Sequence, residues 1–252
     1  MPRHDLDQLE LGLETREDLW RIVLLGHPAA SLATNPGGPE AEPLPGAGSA
    51  ELCHSPRVLR WGHFALAYAF LGALSAVVAV VLRAGSPFSH PEPLLSLAEP
   101  ARHTYSVMMG LTVGALIVMS TRLSVARFEW ARRLHRELRP VARVMSTQGI
   151  VALALLSALG EELLFRGLLQ PWIGILLQAV LFGFLHQVRG PSRFVWMAWA
   201  TAVGLLLGSI FQITGSLLGP IAAHALVNGL NLAYLKSHDP TPARRALGGL
   251  LG

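Results

Sequence analysis

The chain has 252 residues, of which 52% are hydrophobic and only 14% are charged. This composition is too apolar for an ordinary soluble domain and predicts a membrane protein. The formal net charge is +4. The arginines lie beside apolar segments, so we expect a lipid bilayer and no nucleic acid as a partner. A single cysteine, Cys53, excludes an intramolecular disulfide and a cysteine-rich metal site.

Residues 1–60 differ in composition from the rest and predict a cytoplasmic N-terminal arm. The first eighteen residues are acidic and lack the apolar core of a signal peptide. Residues 35–51 are rich in proline, glycine and glutamate, which is typical of a flexible linker. No motif in this region indicates chemistry.

Six apolar segments then follow, each of a length suited to crossing about 30 Å of hydrocarbon as a helix. We expect Gln170 and Pro171 to divide the long run from 146 to 187, because proline is tolerated best at a helix start. The predicted fold class is all-α, a polytopic membrane helix bundle with about six transmembrane helices. The segments are 62–82, 104–121, the two parts of 146–187, 194–213 and 216–235.

The segment between the second and third spans predicts an amphipathic helix in the membrane interface. Its apolar residues recur at spacings of three and four, and arginines occupy the other faces. Pro140 leaves a solvated basic loop as the alternative. The apolar positions are Ala131, Leu134, Leu138, Val141 and Met145.

The arginines also predict the orientation of the chain. Residues 122–145 carry seven of them, which by the positive-inside rule places this segment and both termini in the cytoplasm. Lys236 is the only lysine, a preference for arginine that favours a bacterial protein of the cytoplasmic (inner) membrane. We divide the chain into an arm (1–60), two transmembrane helices with the basic interfacial helix (61–145), a four-helix core (146–235) and a cytoplasmic tail (236–252).

Three charged residues, Glu161, Glu162 and Arg166, lie inside the third apolar segment. A charge at the bilayer centre costs at least about 2.5–3.5 kcal/mol on insertion scales, so such residues are candidates for function. Arg166 follows Glu162 by four residues, the favourable order for an ion pair on a helix. Glu161 points about 100° away. We therefore expect Glu162 to be neutralised and Glu161 to be available as a general base.

Two histidines and an asparagine are the predicted partners of Glu161. With a rise of about 1.5 Å per residue from turns near 170–171 and 215, Glu161 lies roughly 14 Å deep and His186 roughly 22 Å. By the same estimate His224 lies roughly 13 Å deep and Asn228 roughly 19 Å. The four side chains therefore fall in one slab of the membrane and predict a shared site.

The motifs EELLFR (161–166), FGFLH (182–186) and HALVN (224–228) resemble the EExxxR, FxxxH and HxxxN motifs of one family. This is the CPBP (ABI) family of CAAX prenyl proteases and bacteriocin-processing membrane proteases. The resemblance covers roughly residues 146–235 and implies a four-helix protease core. Family members usually have a longer connection between the first two motifs, so a tight turn is expected here.

The resemblance implies an intramembrane endopeptidase with assigned roles. Glu161 and His186 would bind and activate the attacking water, and His224 and Asn228 would stabilise the oxyanion. Glu162 and Arg166 would support the site. No cofactor is favoured, although Zn²⁺ held by Glu161, His186 and His224 is the alternative. The expected substrate is a membrane-embedded or membrane-tethered peptide or protein, and specificity for a CAAX tail does not follow.

Three other interpretations are compatible with parts of the pattern. The charged residues could form a purely structural ion-pair cluster, and the protein could be a non-catalytic bacteriocin-immunity factor or scaffold that keeps the motifs. A transporter with a proton relay through Glu161 and His186 would need polar residues across both halves of the membrane, and the sequence places them in one slab.

Overall fold

The computed structural model describes residues 61–83, 85–188 and 190–240. Within these ranges the regular structure is helical, and one isolated antiparallel bridge pairs Ser89 with Ser216. The predicted all-α fold class is therefore confirmed. The predicted N-terminal arm and all but the first residues of the predicted tail lie outside the described residues.

In the described part of the chain, helices α1 to α7 follow one another, and all of their connections are short except the segment that precedes α2, of which 85–98 are described. A π-helical segment, Leu163–Leu169, joins α4 to α5. The helices are α1 (Trp61–Arg83), α2 (Glu99–Arg127), α3 (Glu129–Arg143), α4 (Thr147–Glu162), α5 (Gln170–Leu185), α6 (Arg193–Thr214) and α7 (Leu218–Ser237).

Four stretches of the described chain are long and apolar enough to cross a membrane, where the sequence predicted about six spans. One of the four, Thr147–Leu185, contains both the third and the fourth predicted spans. Helix α7 is not among them, because its polar residues His224, Asn228 and Asn231 lower its mean hydropathy. The other three are Gly62–Arg83, Glu99–Arg127 and Arg193–Thr214.

The chain reverses at Gly174, not at Gln170–Pro171 as the sequence predicted. Helix geometry continues through Pro171, and Gly174 breaks it with φ 77° and ψ 168°. This left-handed φ favours glycine, which has no Cβ. After the break α5 folds back against the π-helical segment, so that the rings of Phe165 and Phe182 lie 5.0 Å apart.

The corrected turn brings the two motifs to the same level. Glu161 lies thirteen residues before Gly174 and His186 twelve residues after it. At about 1.5 Å per residue both side chains are about 18–20 Å from the turn. The difference in depth between Glu161 and His186 is therefore smaller than the sequence estimate gave.

Helix α3 forms where the amphipathic segment was predicted, and Pro140 lies inside it. The basic-loop alternative is therefore wrong. Ala131, Leu134 and Met145 are buried as expected, and His135, which the pattern did not select, is buried as well. His135 Nε2 lies 3.0 Å from the carbonyl oxygen of His238, so α3 also holds the end of α7.

Helices α2 and α7 approach each other at two glycines. A Cβ on Gly110 would lie 2.1 Å from the carbonyl oxygen of Gly219, and a Cβ on Gly219 would lie 2.2 Å from that of Ser106. Small residues allow this backbone contact in membrane helices. A hydrophobic cluster beside it includes Ile117, Val118, Val203, Leu207, Ile210, Ala223 and Val227. The contact fixes α7, which carries His224.

Replacing Gly110 by alanine is expected to destabilise the bundle by about 1–3 kcal/mol, because the added methyl group forces the two backbones apart. Thermal unfolding in detergent micelles measures the loss. Gly62→Ala is the matched control, since a Cβ there meets nothing within 4 Å. Equal stability of the two variants would contradict the close packing.

Candidate active site

The acidic motif lies where α4 passes into the π-helical segment. Gln170 N–H donates to the carbonyl of Phe165, five residues earlier, as in a π-helix. Single π-helical turns occur frequently at functional sites. Here the widened turn lies one residue after Glu162 and includes Arg166, so the regular part of α4 ends with the two glutamates.

Glu162 and Arg166 form the predicted ion pair. Arg166 Nη1 donates to Glu162 Oε1 over 2.9 Å, and both side chains are fully buried. Arg166 Nη2 also donates to the carbonyl of Gly204 on α6 over 3.1 Å. The guanidinium lies 4.6 Å from the centre of the Phe182 ring, a cation–π contact. The pair therefore joins α4 to α5 and α6.

His224 joins α7 to the same carboxylate. Its Nδ1 lies 2.7 Å from Glu162 Oε1, the oxygen that also accepts from Arg166. A carboxylate that faces a guanidinium is ionised and can only accept, so His224 Nδ1 carries the hydrogen. The ring is thereby fixed with Nε2 directed towards the other glutamate.

Glu161 lies between the two histidines. Its Oε2 atom is 3.5 Å from His186 Nε2 and 3.8 Å from His224 Nε2. Glu161 is buried, at 7% exposure, and Oε2 has no hydrogen-bond partner among the described residues. The predicted division between a paired Glu162 and a separate Glu161 agrees with these contacts.

His186 caps the end of α5 and presents one nitrogen to Glu161. Its Nδ1 lies 2.7 Å from the carbonyl oxygen of Phe182. A carbonyl only accepts, so Nδ1 carries the hydrogen and Nε2 of the neutral ring has a free lone pair. The Phe182 ring packs on the imidazole at 4.3 Å between centres. The side chain of His186 is 25% exposed, more than that of Glu161 or His224.

Asn228 lies one helical turn beyond His224 and contacts a neighbouring residue of α4. Its amide nitrogen donates to Ser157 Oγ over 3.0 Å, and Ser157 precedes Glu161 by four residues. The structure thus places Asn228 beside Glu161 and the two histidines, but the amide N–H of Asn228 is engaged with Ser157. Its role in stabilising an oxyanion stays a prediction.

Sequence reasoning missed Tyr68, on α1. Its backbone carbonyl lies beside Gly160, the residue before Glu161, where an added Cβ would come within 2.6 Å of that oxygen. The signal was weak, since Tyr68 is one polar group in an apolar helix and no motif includes it. Gln178 was missed as well. It is fully buried and donates to the carbonyl of Gly204 over 3.2 Å, beside Arg166.

The alternative of a metal site requires at least three suitable ligands close together. They contain no group of three or more His, Cys, Asp or Glu side chains arranged to hold a metal ion. His224 Nδ1 is already engaged with Glu162, so a metal would have to use the Nε2 atoms of the two histidines with Glu161.

Comparisons with known proteins match the part of the chain that carries this cluster. Residues 143–230 match the model of the family described as "Type II CAAX prenyl endopeptidase Rce1-like". The chain is also 38% identical over 81 residues to "Uncharacterized protein YpbD" of Bacillus subtilis (strain 168). That alignment covers 32% of this chain and 42% of the relative, so the chain spans less than half of the relative's length. No solved structure matches the chain.

The matched range begins at the end of α3 and ends within α7, so it includes Glu161, Glu162, Arg166, His186, His224 and Asn228. The residues that carry the three motifs and the residues that the fold brings together are therefore the same. Residues 143–230 are thus similar to the Rce1-like family, which agrees with the resemblance to the CPBP family, and we refer to this range as the Rce1-like domain.

Proposed function

We propose that the protein is an intramembrane endopeptidase that hydrolyses a peptide bond in or near the membrane. The observation that carries this proposal is the position of Glu161 Oε2, which faces Nε2 of both His186 and His224 at 3.5 and 3.8 Å. The Rce1-like family supports the reaction class. The bacterial inner membrane and a cytoplasmic location of both termini are part of the proposal.

The attacking water would bind beside Glu161 and His186, within hydrogen-bonding distance of both. Their facing atoms are 3.5 Å apart, and both are acceptors when the carboxylate is ionised and the imidazole neutral. A water molecule beside this pair can donate one hydrogen to each at ordinary lengths of about 2.7–2.9 Å. Its oxygen then attacks the carbonyl carbon while one proton passes to Glu161, which returns it to the departing amine nitrogen.

His224 would stabilise the oxyanion that forms on the carbonyl oxygen. Ionised Glu162 stabilises positive charge on the ring through Nδ1, and a protonated ring also has a donor at Nε2. That donor faces the same space as Glu161. Asn228 would supply the second donor if its amide turned from Ser157 to the substrate. Removing one such donor typically lowers kcat by about 10²–10³-fold.

The exposed part of the cluster indicates where substrate would arrive. His186 is its most accessible member, at 25% side-chain exposure, against 10% for Glu161 and 4% for His224. A peptide would therefore approach along the end of α5. Since α1, α2 and α6 are membrane-length apolar helices, we propose a membrane-embedded or membrane-tethered substrate.

Hydrolysis is expected to continue at an unchanged rate after dialysis against a strong chelator, because the glutamate mechanism needs no metal. The measurement is cleavage by the purified protein before and after chelation, with a zinc protease treated in parallel as the positive control. Loss of activity that returns with Zn²⁺ would replace this mechanism by a metal site of Glu161, His186 and His224.

Comparative proteomics of membrane fractions tests the proposed function. Cells with wild-type protein and cells with Glu161→Ala at equal expression are compared for newly formed peptide termini. We expect at least one precursor to accumulate uncleaved in the variant. If the two membrane proteomes and the cellular phenotype are identical, the protease proposal fails and a non-catalytic scaffold or immunity factor takes its place.

A further inference from the structure

A residue of the amphipathic helix α3 holds the connection that follows His186. Glu137 Oε1 accepts a hydrogen bond from Ser192 Oγ over 3.0 Å. A Cβ added to Gly190 would lie 3.1 Å from Glu137 Oε2, so the second carboxylate oxygen lies close to the backbone of the connection. Glu137 precedes the Rce1-like domain, whose matched range begins at residue 143. A side chain from outside that domain therefore contacts the chain between α5 and α6.

Ser192 makes this contact in place of a helix cap. It is the N-cap residue of α6, a position where a serine hydroxyl commonly accepts from a backbone N–H of the first turn. Here the side chain makes no cap bond, and its hydroxyl donates to Glu137. Ser192 is buried, at 4% exposure. The Glu137 carboxylate lies beside the first turn of α6, where a negative charge is favourable.

The position of His186 depends on few contacts of its own. Its Nδ1 lies 2.7 Å from the carbonyl oxygen of Phe182, and its backbone leaves the helical geometry with φ −88° and ψ 70°. Its Nε2 lies 3.5 Å from Glu161, which is longer than a hydrogen bond. Ser192 follows His186 by only six residues. A shift of Ser192 is therefore transmitted through a short stretch of backbone to His186.

We propose that Glu137 is a positioning residue of the site, which fixes the connection at Gly190 and Ser192 and thereby holds the His186 ring opposite Glu161. The attachment itself follows from the fold, and its effect on catalysis rests on the proposed protease function. The Rce1-like domain would then depend on α3, which supplies this acceptor from outside the matched range.

Hydrogen–deuterium exchange tests the attachment without a substrate. Wild-type protein, Glu137→Ala and Glu129→Ala are compared in detergent micelles, with mass spectrometry of the peptide that contains Gly190 and Ser192. Glu129 is the matched control, since its exposed side chain pairs with two arginines of α3 and does not contact the connection. We expect exchange in this peptide to be about tenfold faster only in Glu137→Ala, because a hydrogen bond to a charged acceptor is lost. Equal exchange in all three proteins overturns the inference.

Two further variants separate the hydrogen bond from the packing of α3. Glu137→Gln keeps a side-chain oxygen that accepts from Ser192, so it is expected to recover most of the protection. Ser192→Ala removes the donor, and the double variant with Glu137→Ala is expected to exchange no faster than Glu137→Ala alone. Exchange in Glu137→Gln as fast as in Glu137→Ala, or effects that multiply in the double variant, overturns the inference.

A kinetic readout separates this inference from the proposed function. With a precursor found by membrane proteomics, Glu137→Ala is expected to lower kcat about tenfold and leave KM unchanged, because the connection acts through the position of His186. A wild-type kcat in Glu137→Ala, with Glu161→Gln inactive, overturns the inference and leaves the protease function intact. Full activity in Glu161→Gln overturns the protease function and with it the catalytic role of Glu137, whereas the exchange result still reports the attachment.

Discussion

Replacing Glu161 by glutamine or His186 by alanine is expected to lower peptide hydrolysis by about 10²–10⁴-fold in each case, the usual contribution of a general base. The double variant is expected to lose no more activity than the less active of the two single variants. In the proposed mechanism these two residues, whose facing atoms are 3.5 Å apart, hold one water together, so removing either one removes the function of the pair. The measurement is kcat/KM for all three variants on the same precursor.

Glu99→Gln is the matched control for the carboxylate replacement. Glu99 begins α2, and its side chain is 77% exposed, so the change is expected to leave the rate at the wild-type value. Losses that multiply in the double variant would mean that Glu161 and His186 act in separate steps. Such a result would contradict the hypothesis that the two residues hold one water together.

Replacing Arg166 by methionine is expected to destabilise the protein by about 3–5 kcal/mol, the second large effect. Arg166 is fully buried, and its removal leaves the Glu162 carboxylate without its cation inside the bundle. The hydrogen bond to the carbonyl of Gly204 is lost as well. Unfolding in detergent micelles, followed by circular dichroism, measures the change.

The double replacement Glu162→Gln with Arg166→Met is expected to recover part of this stability, because it removes the unpaired charge. An exposed ion pair provides the comparison. Arg132 pairs with Glu129 at the start of α3 with 28% and 59% side-chain exposure, and Arg132→Met is expected to cost below about 1 kcal/mol. Similar losses for Arg132→Met and Arg166→Met would show that the buried pair contributes little.

Helical periodicity explains why much of the candidate site could be predicted from the sequence. The spacing of four residues between Glu162 and Arg166 places them on one face of any helix, and the structure pairs them at 2.9 Å. Polar residues inside apolar helices must face the interior of a bundle. His186 and His224 therefore had to turn inward, and the fold brings both to Glu161.

The position of the turn could not be read from local signals alone. Pro171 favours a helix start, but proline is equally accommodated within the first turn of a segment that continues from a π-helix. Gly174 carries the break, and an isolated glycine in an apolar run gives only a weak signal. Arg166 and Phe165, both in the π-helical segment, contact Gly204 and Phe182, and the sequence does not display these tertiary contacts.

Tyr68 and His135 show what depends on tertiary structure. Neither belongs to a motif, and each acquires its contact from a helix distant in sequence. The backbone of Tyr68 lies beside Gly160, one residue before Glu161, because glycine admits α1 to close contact, and His135 bonds to the carbonyl of His238. Burial lowers the pKa of His135, and the positive charge of Arg139 acts in the same direction.

Cleavage by the purified protein in liposomes tests the central claim most directly. The precursor that accumulates in Glu161→Ala cells is reconstituted with wild-type protein or with Glu161→Gln, and the fragments are identified by mass spectrometry. We predict two fragments from one peptide bond with wild-type protein and intact precursor with Glu161→Gln. Equal cleavage by Glu161→Gln would contradict the assignment of Glu161 as the base that activates water.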